Sequence, residues 1–212
     1  MTRTSIGIFG AGQLGRMLAM SGAQLGYLVE LYSDENSPCG AEVAAHQNGK
    51  FSDEQAVKEF ALRHTVNTAE FENVPTQTLQ FSASVRPFYP APEAFSIAQY
   101  RLKEKQLAQS VGLSVPRFFP VATFSELQLA YRQLGSTRAM LKCRSLGYDG
   151  KGQARVSSEA ELESAWAQVG ERPSLLEEYF QFDQEVSLIA VRSTGGETRF
   201  YDLVENIHEE GI

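Results

Sequence analysis

Ser5-Ile6-Gly7-Ile8-Phe9-Gly10-Ala11-Gly12-Gln13-Leu14-Gly15 sets a short apolar run directly against a glycine-rich turn. Beyond it Leu14, Met17, Leu18 and Leu25, with the small Ser21 among them, recur at helical spacing. Gly26 is placed to stop that helix, and Tyr27-Leu28-Val29-Glu30-Leu31-Tyr32 reads as the next strand. Strand, turn, helix and strand in this order make a βαβ unit, whose sheet is expected to be parallel. Gly10, Gly12 and Gly15 complete a G-x-G-x-x-G pattern, with Glu30 close to the position of a ribose-binding acid. Two outcomes stay open at this point. The turn holds a nicotinamide dinucleotide, or the glycines only permit close packing while the helix N-terminus holds some other anion.

From Ser33 to Lys50 the chain is polar, broken by Pro38 and Gly40, and without firm periodicity. Ser52-Asp53-Glu54-Gln55 then has the form of a capping box, with Ser52 as the cap, opening a helix that carries Val57, Phe60 and Ala61 on one side. Thr65 to Ala69 reads as a third strand, ending in Glu70-Phe71-Glu72-Asn73-Val74-Pro75. Two acids thus leave the carboxyl end of a parallel strand, the edge where ligands of open α/β sheets gather, or they serve as solvated groups beside a helix start. The stiff segment Arg86 to Pro92 marks a boundary, and Glu93 to Val111 has helical character up to Gly112.

A unit of different rhythm follows. Thr123-Phe124-Ser125-Glu126 is a second capping box and Gly135 a C-terminal stop. Ala139-Met140-Leu141 leads into Lys142, and the chain enters a loop with Gly147, Gly150 and Gly152 around Tyr148, Asp149 and Lys151. Such a loop is either a hairpin connection or a phosphate cradle, since glycines let backbone N–H groups approach an anion and Lys142 and Lys151 supply charge. Ala154-Arg155-Val156 returns as an antiparallel partner. Ser158 to Glu161 caps another helix, and Ser174 to Tyr179 is a strand. Two long strands, Glu185 to Arg192 and Thr198 to His208, follow, too few for a stable domain of their own and read as the opening of a third unit.

The 212 residues are 42% hydrophobic and 21% charged, a globular composition, with no run near the roughly 18 apolar residues of a membrane span. No small-residue cleavage site follows the N-terminus, and two cysteines are too few for a disulfide framework, so a cytoplasmic location is expected. A formal charge of −7 without a basic stripe argues against nucleic acid, and leaves anionic small molecules open because the relevant field is local.

Taken together, the chain resembles the ATP-grasp enzymes of purine synthesis, specifically the carboxyaminoimidazole ribonucleotide synthetase family. The resemblance rests on Gly10 to Met17, Glu70 to Pro75, Arg101 to Gln106, Lys142, Gly147 to Gln153, Glu185-Val186-Ser187 and Asn206-Ile207-His208. It implies a Rossmann-like parallel-sheet substrate domain at 1–92, a connecting helix region at 93–115, an α+β ATP-grasp lid at 116–178 and the beginning of an incomplete ATP-grasp core at 179–212. It turns the glycine turn away from a dinucleotide: the turn, with Gln13, is implied to help hold a phosphoribosyl substrate, with Glu72 at the strand edge close to that substrate.

The resemblance further implies that Arg101 and Lys142 meet the ATP phosphates, and that Gly147, Tyr148, Asp149, Gly150, Lys151, Gly152 and Gln153 close over them. Lys142, Tyr148 and Asp149 are its candidate catalytic residues, with Tyr148 and Asp149 also touching the aminoimidazole. Glu177, Glu178, Tyr179 and Phe180 form the hinge beside adenine, Glu185 takes the ribose hydroxyls, and His208 is a further nucleotide contact. The implied activity is ATP-dependent carboxylation of aminoimidazole ribonucleotide with bicarbonate, in a homodimer by family analogy. Magnesium is implied too, its ligands expected beyond Ile212, so this N-terminal portion is expected to be inactive alone. Alternatives are another ATP-grasp ligase, such as the formate-dependent glycinamide ribonucleotide transformylase, or a non-catalytic nucleotide-binding module.

Overall fold

The computed structural model describes residues 3–145 and 152–207, and the chain divides into two compact units, Met1–Glu104 and Lys105–Ile212. In the first unit, β1 (Ser5–Phe9), β2 (Leu28–Ser33), β3 (Ala45–Asn48) and β4 (Val66–Ala69) form a sheet in the order β3-β2-β1-β4. All its ladders are parallel, as the βαβ pattern requires. Helix α1 (Gln13–Gln24) is the first crossover, α2 (Glu54–Leu62) precedes β4, and α3 (Thr76–Ala83) and α4 (Pro92–Ala98) follow it.

The core of this unit lies on both sheet faces. Phe9, Tyr32, Phe60, Leu79 and Phe88 pack on one side, and Ile8, Ala11, Ala19 and Leu31 on the other. Side-chain alternation along β1 and β2 sends successive residues to opposite faces, so the neighbours Ile8 and Phe9, and Leu31 and Tyr32, are buried on opposite sides. The Phe9 and Phe60 rings meet edge-on at 5.2 Å, a favoured aromatic geometry.

Three expectations change here. The polar stretch from Ser33 to Lys50 contains β3, an edge strand poor in β-branched residues and held by its ladder to β2. The cap of α2 is Asp53 rather than Ser52: its carboxylate accepts from Ala56 N at 3.1 Å, while Gln55 reaches forward to Glu59 instead of back to the cap. The single helix expected from Glu93 to Val111 is two helices, α4 and α5 (Arg101–Ser110), separated at Gln99 and Tyr100. The Gln99 side chain is drawn away to the loop after β4, donating to the Glu72 and Val74 carbonyls at 2.5 and 2.7 Å and accepting from Thr76 Oγ1.

In the second unit β5 (Phe118–Val121), β6 (Ala139–Cys143), β7 (Gln153–Val156) and β8 (Ser174–Glu178) form an antiparallel sheet in the order β5-β8-β6-β7. Helices α6 (Phe124–Leu134) and α7 (Leu162–Gln168) cover one face, burying Leu127, Leu134, Leu141, Val156, Leu162 and Leu176. The second capping box forms as expected, with Thr123 Oγ1 accepting from Glu126 N and Glu126 accepting from Ala122 N. Gly135 closes α6 in the left-handed conformation, which a β-carbon would disfavour. The cap expected at Ser158 is not made: its side chain accepts no cap bond, a 3-10 turn, Glu159–Glu161, follows it, and α7 begins only at Leu162.

The two long strands expected after Glu185 are interrupted. β9 (Glu185–Ser187) pairs with β12 (Val204–Asn206), and β10 (Ala190–Arg192) pairs with β11 (Thr198–Phe200), all antiparallel. Ile189, Tyr201 and Leu203, in the breaks, are exposed.

One buried group ties stability of the first unit to pH. Burial pushes the His64 imidazole below its ordinary value of 6.5, outweighing the upward pull of Glu30 and of the Phe60 carbonyl, with Arg63 adding a downward push. Below pH 6.5 the unfolded chain therefore binds more protons than the folded one, so stability present above that value is lost as pH falls towards the folded one. Urea unfolding followed between pH 7.5 and pH 5.5 (~neutral to mildly acidic) should show this loss, and His64→Gln should flatten it.

Candidate functional site

Strands β1 and β4 end side by side, with Phe9 opposite Ala69, so the chain leaves them at Gly10 and Glu70. Gly10 adopts φ +104°, a conformation natural to glycine, and turns the chain into α1. The first amides of a helix have no partner of their own and attract anions. Here the anion is internal: the Glu70 carboxylate accepts from Gly12 N at 2.9 Å and from Gly15 N. A β-carbon at Gly10, Gly12 or Gly15 would meet that same side chain, so the glycine spacing is accounted for by a carboxylate packed in the turn. Glu30, at the position of a ribose-binding acid, bonds instead to Arg63 Nη2 at 2.9 Å and lies 3.1 Å from His64 Nε2.

The two proposed substrate residues flank this turn. Gln13 is the first residue of α1, and its side chain is exposed. Glu72 is also exposed, and its backbone carbonyl is held by Gln99. Motif spacing identified the acidic segment but missed Glu70 as the helix cap and Gln99 as the brace. The signal for Glu70 was register: the residue after a strand that pairs with β1 must stand beside Gly10.

The second cluster lies on the sheet of the second unit. Lys142 on β6 and Glu177 on β8 project on the side away from α6 and α7, and Lys142 Nζ stands 3.2 Å from Glu177 Oε2. Lys105, on α5, reaches the same oxygen at 3.3 Å. The other oxygen, Oε1, is buried and has no hydrogen-bond partner among the described residues. Glu178 points elsewhere, as strand alternation dictates. Arg117 grips it through two bonds of 3.0 and 3.2 Å and holds its carboxyl below the usual range, chiefly through those bonds.

Tyr179 follows, its ring 5.7 Å from the Arg155 guanidinium; together with Arg138 and Ser157 they line a cavity of about 280 Å³. Phe180 is exposed. Gln153 starts β7, and the carbonyl of Gly152 just before it accepts from Cys143 N at 2.8 Å. Glu185 faces Asn206 across β9 and β12, accepting from its Nδ2 at 3.0 Å. Arg101 opens α5 and is half-buried. Gly147, Tyr148, Asp149, Gly150, Lys151 and His208 lie outside the described residues. The structure thus brings Lys142 and Glu177 into contact, and gives Glu178 and Glu185 other partners.

Residues 106–212 match the ATP-grasp domain, and residues 3–99 match the ribonucleotide synthetase preATP-grasp domain. The chain belongs to the ATP-grasp family. Within it, the chain is 40% identical over 207 residues to the N5-carboxyaminoimidazole ribonucleotide synthase of Pseudomonas aeruginosa, covering 98% of this chain and 57% of that protein. The crystal structure of N5-carboxyaminoimidazole synthetase from Staphylococcus aureus complexed with ADP is similar at TM-score 0.93 and 31% identity, over 100% of this chain and 57% of that one. The N5-carboxyaminoimidazole synthase of Aspergillus clavatus, in complex with ADP and 5-aminoimidazole ribonucleotide, gives 0.86 at 30% identity, over 99% and 55%. The chain spans a little over half the length of these relatives.

Removing the internal anion should reopen the helix terminus. Glu70→Ala is expected to destabilise the first unit by about 1–3 kcal/mol in urea unfolding, the cost of stranding its amide donors. Added sulfate should raise the melting temperature of that variant while leaving the parent protein unchanged.

Proposed function

We propose that this chain carries the nucleotide-binding sheet and the ribonucleotide-binding unit of an enzyme that carboxylates aminoimidazole ribonucleotide with bicarbonate and ATP. In that reaction a bicarbonate oxygen takes the γ-phosphoryl group, giving carboxyphosphate and ADP. Cleavage of the carboxyphosphate C–O bond releases phosphate and carbon dioxide. The amine lone pair of the ribonucleotide then adds to that carbon, and the amine loses a proton to leave the carbamate. The protein's part is positioning, charge neutralisation and water exclusion.

The observation that carries the proposal is the buried Oε1 of Glu177, beside Lys142 and without a donor among the described residues. A buried acceptor without a donor is unfavourable, and a ligand N–H relieves it. Adenine offers its exocyclic amino group as that donor, whereas guanine presents a carbonyl oxygen at the corresponding ring position and would repel the carboxylate. Lys142 and Arg101 then meet the phosphates as cations, Tyr179 and Phe180 border the base, and Glu185 takes the ribose hydroxyls. Gln13 and Glu72, beside the plugged glycine turn, are the contacts for the second, ribonucleotide ligand. Tyr148 and Asp149 keep the roles that the resemblance gives them, with the rest of the glycine loop and His208 beside the nucleotide.

Magnesium accompanying the nucleotide would need oxygen ligands, carboxylates foremost. Among the described residues no group of three or more His, Cys, Asp or Glu side chains is set to hold a metal ion. No helix of the described residues is long and apolar enough to cross a membrane. The free thiols of Cys39 and Cys143 suit the reducing cytoplasm.

Calorimetric titration of this chain should register ATP and ADP and give no heat with NAD. Lys142→Met should weaken ATP about tenfold, the scale of one charge-assisted contact, with the melting temperature little changed. Tighter binding of NAD than of ATP would overturn the proposal.

A further inference from the structure

Lys105 is matched to no role by the motifs, yet its side chain is only 15% exposed and ends 3.3 Å from Glu177 Oε2, with the Phe118 ring 6.0 Å from its ammonium. Lys142 stands 3.2 Å from that same oxygen and is 24% exposed, while the Glu177 side chain is 4% exposed. Two ammonium groups therefore share one oxygen of one buried carboxylate. Neutralising Glu177 needs only one of them.

The excess has a use if one lysine leaves. A buried carboxylate that loses its only counter-ion is strongly destabilised, which would tie Lys142 to Glu177 and withhold its charge from an arriving anion. A second lysine on the same oxygen removes that restraint. Lys142 is the more exposed of the two and lies on the strand that leads into the glycine-rich loop, so it is the one free to turn. Lys105, lodged against Phe118, stays.

We propose that Lys105 is a positioning residue of the nucleotide site: it remains as the standing counter-ion of Glu177, holding Oε2 while Lys142 turns to the ligand's phosphates and Oε1 faces the base. This rests on the nucleotide role proposed above. Lys105 touches no ligand in this scheme, and its effect passes wholly through the Glu177 carboxylate.

That dependence is measurable by calorimetric titration of ADP into four forms of the chain: the parent, Lys105→Met, Glu177→Gln, and the double variant. Lys105→Met should weaken ADP about tenfold in the parent background, since Lys142 is then held by the carboxylate. In the Glu177→Gln background no buried carboxylate needs a counter-ion, and the same change should alter ADP affinity less than about twofold. Lys105→Arg, which keeps the charge, should restore the parent affinity to within about threefold. An equal loss in both backgrounds would show that Lys105 acts directly or only structurally, and would overturn the assignment; if Lys105→Met alone fails to fold, a loss well beyond about twofold between Glu177→Gln and the double variant overturns it as well. A parent chain that binds ADP alongside an indifferent Lys105→Met overturns the Lys105 assignment alone. A parent chain silent to ADP overturns the nucleotide role itself, and this inference with it.

Discussion

A carboxylate withdrawn from water has to be met by donors, and two such groups organise this chain. In the first unit Glu70 is met by the orphan amides at the start of α1. In the second, Glu177 is met by two lysines on one oxygen and, among the described residues, by no donor on the other. The two cases have opposite consequences. Glu70 occupies two of the amides at the turn. Glu177 leaves an acceptor open beside a cationic side chain, which is the arrangement a ligand can complete.

The parallel sheet was legible because its signal is local: an apolar run, a glycine break, a helical period and a second run lie within the first 32 residues. The antiparallel module was legible for the same reason, each helix announced by a cap three residues ahead of a glutamate. What failed was decided by partners distant in sequence. Ala45–Asn48 forms a strand because β2 offers it a ladder, not because its residues favour one. The helix expected from Glu93 to Val111 breaks where Gln99 is drawn to carbonyls in the Glu72–Val74 segment. The strands after Glu185 are interrupted although their composition reads as continuous.

The candidate site shows the same division. Glycine spacing revealed two possible anion cradles at Gly10–Gly15 and at residues 147–152, and spacing alone could not separate them. The separation comes from a register, Phe9 opposite Ala69, that places Glu70 in the first cradle. Lys105 was invisible for a related reason: a lysine on a polar helix reads as solvated until its tip is found on a carboxylate contributed by a strand 72 residues later (177 − 105).

The central claim is that only the second cradle serves the nucleotide. Backbone amide shifts of the isotopically labelled chain, mapped while ADP is added, test this directly. The expected result is a set of perturbations at Lys142, Leu175 to Glu178 and Gly152, with Gly10 to Gly15 unmoved. Perturbations centred on Gly10 to Gly15, with the amides of β6 and β8 silent, would contradict it.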